Sequence, residues 1–192
     1  YSRRNFNDSI MATLFVDKLD PQSGTTLEIG TSGDTVTVPT GVTVAGGLAN
    51  IPAFSVKLNS AMAISNNTNT KVTYDVEQVD TDSAFASNKF TVPAGGAGTY
   101  YFIHAPTIQS TGAGATLCRS LVYVNGVAVT RSDSRIVTGT GHYENTPIAI
   151  YMATLSVSDY VEGYARIEGG TSTITVESGA RSWFIGYKII GA

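Results

Sequence analysis

The chain has 192 residues and a mass of 20.2 kDa, room for one domain of ordinary size with a short appendage and too little for two large ones. Charged residues make up 14% and hydrophobic ones 42%, against about 25% charged in an average soluble protein, which excludes disorder and a charge-rich helical protein. A net charge of −3 and a pI of about 5.3 lack the basic footprint that phosphate backbones attract, so no nucleic-acid partner is expected.

The first apolar run, Ile10 to Val16, is broken by Asp17 and Lys18. It is too short for a signal peptide with its cleavage site, or for a membrane span of about 20 residues, so neither export nor membrane insertion is expected. Met11-Ala12-Thr13-Leu14 reads as a natural start, and residues 1–10 as an upstream extension. Residues 1–23 are taken as an N-terminal attachment segment.

Residues 24–51 change character. Thr25 to Ile29, Thr35 to Val38 and Val42 to Val44 are short alternating runs separated by Gly, Ser, Asp and Pro, each the length of a brief strand bounded by turn formers. Leu27, Ile29, Val36, Val38 and Val44 are the residues such rungs would pack. One or two small aliphatics per rung do not offset an ordering cost of roughly 1–2 kcal/mol per residue. A stem of this kind therefore needs a partner, most simply other copies of itself; a flexible Gly/Thr-rich linker is the alternative.

From residue 52 to residue 192 the pattern is strand throughout, with turn signals at intervals of roughly 8–15 residues, as in a β-sandwich or jelly roll. Strands are predicted at 53–58, 71–74, 89–91, 98–105, 148–157, 160–167, 173–176 and 182–190. Leu121 to Val124 and Val127 to Val129, joined by Asn125-Gly126, predict a type I′ hairpin. No window carries a sustained helical period, so helix should be nearly absent.

Chemistry is sparse in the sequence. His104 and His142 stand outside any metal-binding spacing, no Gly-x-Ser-x-Gly elbow occurs, and the single Cys118 cannot form an intrachain disulfide. No catalytic residue is expected. Glu77, Asp80 and Asp82 gather carboxylates as hard-cation sites do, but lack the Asp-x-Asp-x-Asp-Gly pattern, so a solvated loop is the expectation and no metal or cofactor is assigned. Recognition is expected on loops: Asn66 to Asn69, Ser132 to Arg135 and Gly139 to Asn145. The receptor-contact candidates there are Arg131, Asp133 and Arg135, then His142, Tyr143, Glu144 and Asn145, with Tyr143 as a sugar-stacking ring.

Taken in order, several elements resemble a known family. Pro52-Ala53-Phe54-Ser55-Val56, Thr70 to Tyr74, Phe85 with Asn88 to Pro93, and Gly98-Thr99-Tyr100-Tyr101-Phe102 resemble successive strands of the trimeric jelly-roll head shared by complement component one, subcomponent q, and tumour necrosis factor. Asp159-Tyr160-Val161-Glu162 resembles that family's Gly-Asp-x-Val turn, with Ser158 in place of Gly, and Ser182 to Ile190 its aromatic last strand. Ala94 to Ala97 lengthen one turn, and no collagen-like stem is present.

The resemblance implies a homotrimer in which Tyr100, Phe102, Tyr151, Tyr164 and Phe184 are candidates for the axis. It also keeps calcium as an alternative at the acidic cluster. Val16 to Leu19, Ser23 to Leu27 and Gly33 to Val36 resemble the opening of structural proteins of tailed bacteriophages. The reading is an all-β, homotrimeric protein: a β-rung stem and a jelly-roll head forming a non-enzymatic virion fibre on the phage particle surface. Its N-terminal segment would attach to other virion proteins and its head would meet a host-surface glycan or protein. A capsid decoration fibre is one alternative, and a polysaccharide-degrading fibre enzyme, whose longer body and paired carboxylates this chain lacks, is the other.

Overall fold

The computed structural model describes residues 19, 21, 23–39, 50–136 and 142–189. Contacts divide the chain into two units, Tyr1–Thr43 and Val44–Ala192. In the first, the described residues form no strand: Thr25 to Ile29 and Thr35 to Val38 make no ladder within one chain, and Leu27, Ile29, Val36 and Val38 are all exposed. One turn is closed by Asp34, whose carboxylate accepts from the backbone N–H of Thr31 at 2.7 Å and from its hydroxyl at 3.0 Å. The Val42 to Val44 rung lies outside the described residues.

The second unit is built of strands. A five-stranded antiparallel sheet runs β12 (Ala149–Leu155), β7 (Gly98–Ala105), β15 (Trp183–Lys188), β1 (Ala53–Lys57), β4 (Val76–Asp80). A six-stranded sheet runs β10 (Val127–Arg135), β9 (Leu117–Val124), β13 (Tyr160–Glu168), β6 (Lys89–Thr91), β5 (Phe85–Ala86), with β3 (Thr70–Lys71) also on β13. A smaller sheet joins β11 (Tyr143–Asn145), β8 (Ile108–Ser110), β14 (Ile174–Val176) and β2 (Met62–Ala63). One 3₁₀ turn, Gly179–Arg181, is the helical element among the described residues.

Alternation decides which side chains fill the core. Phe54, Tyr100, Phe102 and Phe184 point inward from the five-stranded sheet; the first three meet Phe90 of the other, with Phe54 and Phe90 stacked at 5.0 Å and Phe90 and Tyr100 at 5.4 Å, and Phe184 packs edge-on against Phe54. Offset and edge contacts of this kind add about 0.5–1.5 kcal/mol each to the area they bury. The Asn125-Gly126 hairpin forms as expected, with φ of 51° and 79° and Val124 opposite Val127.

Two expectations about elements are corrected. Ser132 to Arg135, read as a loop following the hairpin, continues β10 and pairs residue by residue with Leu117 to Ser120. Tyr143 to Asn145, also read as loop, is a strand paired with β8.

Candidate functional site

The groups whose chemistry is most often catalytic, His104 and Cys118, are inside the sandwich. His104 is fully buried; its Nδ1 lies 2.8 Å from Ser120 Oγ, and that hydroxyl donates to the His104 carbonyl at 2.9 Å. A serine hydroxyl has one proton, so the second bond assigns the imidazole proton to Nδ1 and leaves Nε2, which has no partner, as a bare acceptor. The ring fills the space over Gly163, where a methyl group would overlap it. Burial pulls its pKa down to about 3, so the ring is neutral at ordinary pH, enclosed by Tyr74 and Phe184. Cys118 is also buried, and burial pushes its thiol up to about 12, which leaves almost no thiolate. Neither group can reach a substrate.

The acidic cluster is divided by its own turn. Asp80 accepts from the N–H groups of Ala84 at 2.9 Å and Phe85 at 3.1 Å, which ties its carboxylate to the start of β5. Among the described residues, no group of three or more His, Cys, Asp or Glu is arranged to hold a metal ion.

The aromatic candidates for an axis are placed elsewhere. Tyr100, Phe102 and Phe184 are spent on the core of a single chain and have no surface to offer a second copy, which corrects their assignment. Tyr151 is packed against that core, while Tyr164 lies on the outer side of the six-stranded sheet. Residues one position away carry the outer face of the five-stranded sheet. Ile150, Ile103 and Ile185 form one cross-strand row, and Met152, Tyr101 and Tyr187 the next. Ile150 is 52% and Met152 61% exposed, and Tyr101 and Tyr187 lie ring to ring at 5.8 Å. At one end of this face, Trp183, Ser55, Lys57 and Gln78 line a half-open depression.

The receptor-contact candidates separate onto two sheets. Arg131, Asp133 and Arg135 stand on the outer side of β10, where Asp133 makes a bidentate pair with Arg119 of β9 at 2.6 and 3.0 Å. Those bonds hold its carboxyl below the usual range. Tyr143 to Asn145 belong to the smaller sheet, and His142 immediately precedes them. His142 Nε2 is 3.0 Å from Gln109 Nε2, Glu144 accepts from Arg181 at 2.6 Å, and Tyr143 is partly buried against the core, so it is not a free stacking platform.

Beside the Arg119 and Asp133 pair lies an aromatic group of which the sequence reading singles out only Tyr164, and that as an axis candidate. Tyr123 and Tyr164 stack at 4.0 Å; Asn69 Nδ2 donates to the Tyr123 hydroxyl at 2.8 Å. Lys71 pairs with the nearly buried Glu162 at 2.7 Å, and Lys89 sits 4.4 Å over the ring of Tyr160. Period-two alternation in β9 and β13 signals that Tyr123, Tyr160 and Tyr164 share a face, but nothing local shows that Asn69, Lys71 and Lys89 join them.

No family model and no curated protein matches the chain. Among solved structures, it is similar to the globular domain of zebrafish complement 1qA protein, with 21% identity, a TM-score of 0.50, and a match that covers 72% of this chain and 96% of that one. The fold is therefore that of the globular jelly-roll domain common to complement subcomponent q and tumour necrosis factor. At this identity the similarity concerns the fold, and function has to come from the surface.

Proposed function

We propose that the chain is a non-catalytic, homotrimeric binding protein, a fibre of a bacteriophage particle whose jelly-roll head is displayed for adhesion. The observation that carries the assembly is the outer face of the five-stranded sheet. Two adjacent rows of Ile, Met and Tyr lie on it, with Ile150, Met152 and Tyr187 exposed and Ile103, Ile185 and Tyr101 half-buried in one chain. Monomeric proteins rarely leave contiguous apolar patches of more than a few hundred Å² uncovered. Copies of the same chain are the simplest cover, and three would close a ring. The exposed Leu27, Ile29, Val36 and Val38 favour assembly along the N-terminal segment as well, where aliphatics with no partner in one chain would meet their counterparts.

The burial of His104 and Cys118 supports a binding role over a catalytic one. The virion role rests on the resemblance of the N-terminal segment to phage structural proteins, and three heads on one stem would raise avidity through effective concentration. Replacing Ile103 and Ile185 together by Lys should reduce a trimer to a monomer in light scattering while the melting transition persists. An unchanged mass would contradict the assignment of this face. Release of reducing ends from host-envelope polysaccharide by the unaltered chain would overturn the non-catalytic reading, and antibodies to the chain should label the particle surface.

A further inference from the structure

The nine lysines and arginines from residue 50 onward are not spread evenly. Six of them, Lys71, Lys89, Arg119, Arg131, Arg135 and Arg166, stand on the outer side of the six-stranded sheet, as its register, its ion pairs and, for Lys89, the contact with the Tyr160 ring place them. Three carboxylates, Asp133, Glu162 and Glu168, share that face, each paired with one of these cations. The face therefore carries a net +3 in a chain whose total is −3. Asp159, at its rim, is held by Asn125 and the N–H of Ser156.

We propose that this face binds an acidic polysaccharide, a glycan carrying carboxylate or sulfate groups, which deepens the binding-module reading above and rests on it. Four of the cations lie toward the margins, Arg131 and Arg135 on the edge strand β10 and Lys71 and Lys89 on β3 and β6; the tyrosines of β9 and β13 lie between them, with Arg119 and Arg166 on the same two strands already engaged by Asp133 and Glu168. With strands about 4.8 Å apart, a chain crossing from β10 to β6 covers about 14 Å and meets positive charge, aromatic surface, then positive charge. Sugar rings pack on aromatic side chains while their charged groups pair with Arg and Lys. The tyrosines are already held: Tyr123 is bonded by Asn69 and stacked on Tyr164, whose hydroxyl donates to Glu162 at 3.4 Å. Little side-chain freedom remains to be lost on binding.

The interleaved acids argue for sparse ligand charge. A nucleic-acid duplex presents a phosphate about every 1.7 Å and would meet Asp133, Glu162 and Glu168 as well as the cations. A glycan with one charged group per sugar or per few sugars can seat its anions at the margins and its neutral carbons over the tyrosines.

The test is affinity measurement on the full chain with polygalacturonate, dextran sulfate, neutral dextran and a DNA duplex as probes. Binding to the two acidic glycans, weakening with salt, with neutral dextran inert, is expected. Arg131→Gln with Arg135→Gln should weaken it by about tenfold, as expected for two partly exposed charge contacts. Arg181→Gln with Lys188→Gln, the same charge change away from this face, should leave it within about twofold. Tyr164→Ser should weaken binding with little change in salt dependence. No binding to either acidic glycan, equal loss in both double variants, or tighter binding of the DNA duplex would overturn the proposal. Light scattering on the same samples separates the two readings: glycan binding by a monomeric chain would uphold this face and contradict the homotrimer, and a trimer that ignores acidic glycans would do the reverse.

Discussion

His104 is a neutral ring held at Nδ1 by Ser120, with an unpaired nitrogen closed in against Gly163. Its pKa falls from 6.5 to about 3 on folding, so between those values the unfolded chain binds more protons and stability rises with pH. Stability is thus complete above pH 6.5 and is lost as pH falls toward 3. Well below 6.5 the slope is about 1.4 kcal/mol per pH unit, so urea unfolding should show a loss of roughly 2 kcal/mol between pH 6.5 and 4.5. His104→Phe should flatten that dependence; an equally steep curve in the variant would refute the assignment. Ser158 has φ of 74° where the resembling family has Gly, and a serine side chain disfavours that region. Ser158→Gly should raise stability by about 0.5–1 kcal/mol by thermal or chemical unfolding, and a loss of stability would contradict the argument. One residue separates a core side chain from an outer one in β7 and β15. Alternation in the sequence marks two faces but does not say which is covered by the second sheet, so Tyr100, Phe102 and Phe184 were legible as a set and not as core. Tyr101, Ile103 and Ile185 are the outer set.

At the scale of elements, β9 is laddered to β13 along its length, and one side chain ties the turn of the β9–β10 hairpin to the start of β13. Asn125 donates from Nδ2 to Asp159 at 2.8 Å and accepts the Tyr160 N–H at 3.0 Å, while its own backbone stands at φ 51°. Asn125→Ala removes both bonds and the tolerance for that φ, and should cost about 2–3 kcal/mol in equilibrium unfolding. A change under about 0.5 kcal/mol would mean the tie carries no weight. The long strands β7, β12, β13 and β15 were legible because each alternates over six residues or more and ends at turn formers. The two-residue strands β2 and β5 have no period to read, and they are defined by partners: Met62 and Ala63 by β14, Phe85 and Ala86 by β6. β10 was legible only as far as Val129. Beyond it Arg131, Asp133 and Arg135 alternate with Thr130, Ser132 and Ser134, a polar pattern that an edge strand shares with a loop.

For the whole molecule, the two outer faces of the sandwich differ in character, and we propose different work for them. One is apolar, and reads as the surface where copies meet; the other collects six cations and three tyrosines, and reads as the surface where a ligand lies. The apolar face arises from alternation along β7, β12 and β15, which the sequence carries. The charged face gathers residues from positions 71 to 166, and only strand pairing brings them together, so a net charge of −3 concealed it. The association of copies is the claim on which the fibre reading depends. Light scattering on the full chain and on residues 51–192 tests it most directly. A mass near three times 20.2 kDa for the full chain, with the shorter chain also threefold, is predicted, since the jelly roll carries the apolar face. Three copies for the full chain and one for the shorter would assign assembly to the N-terminal segment, and a single-chain mass for both would contradict the account.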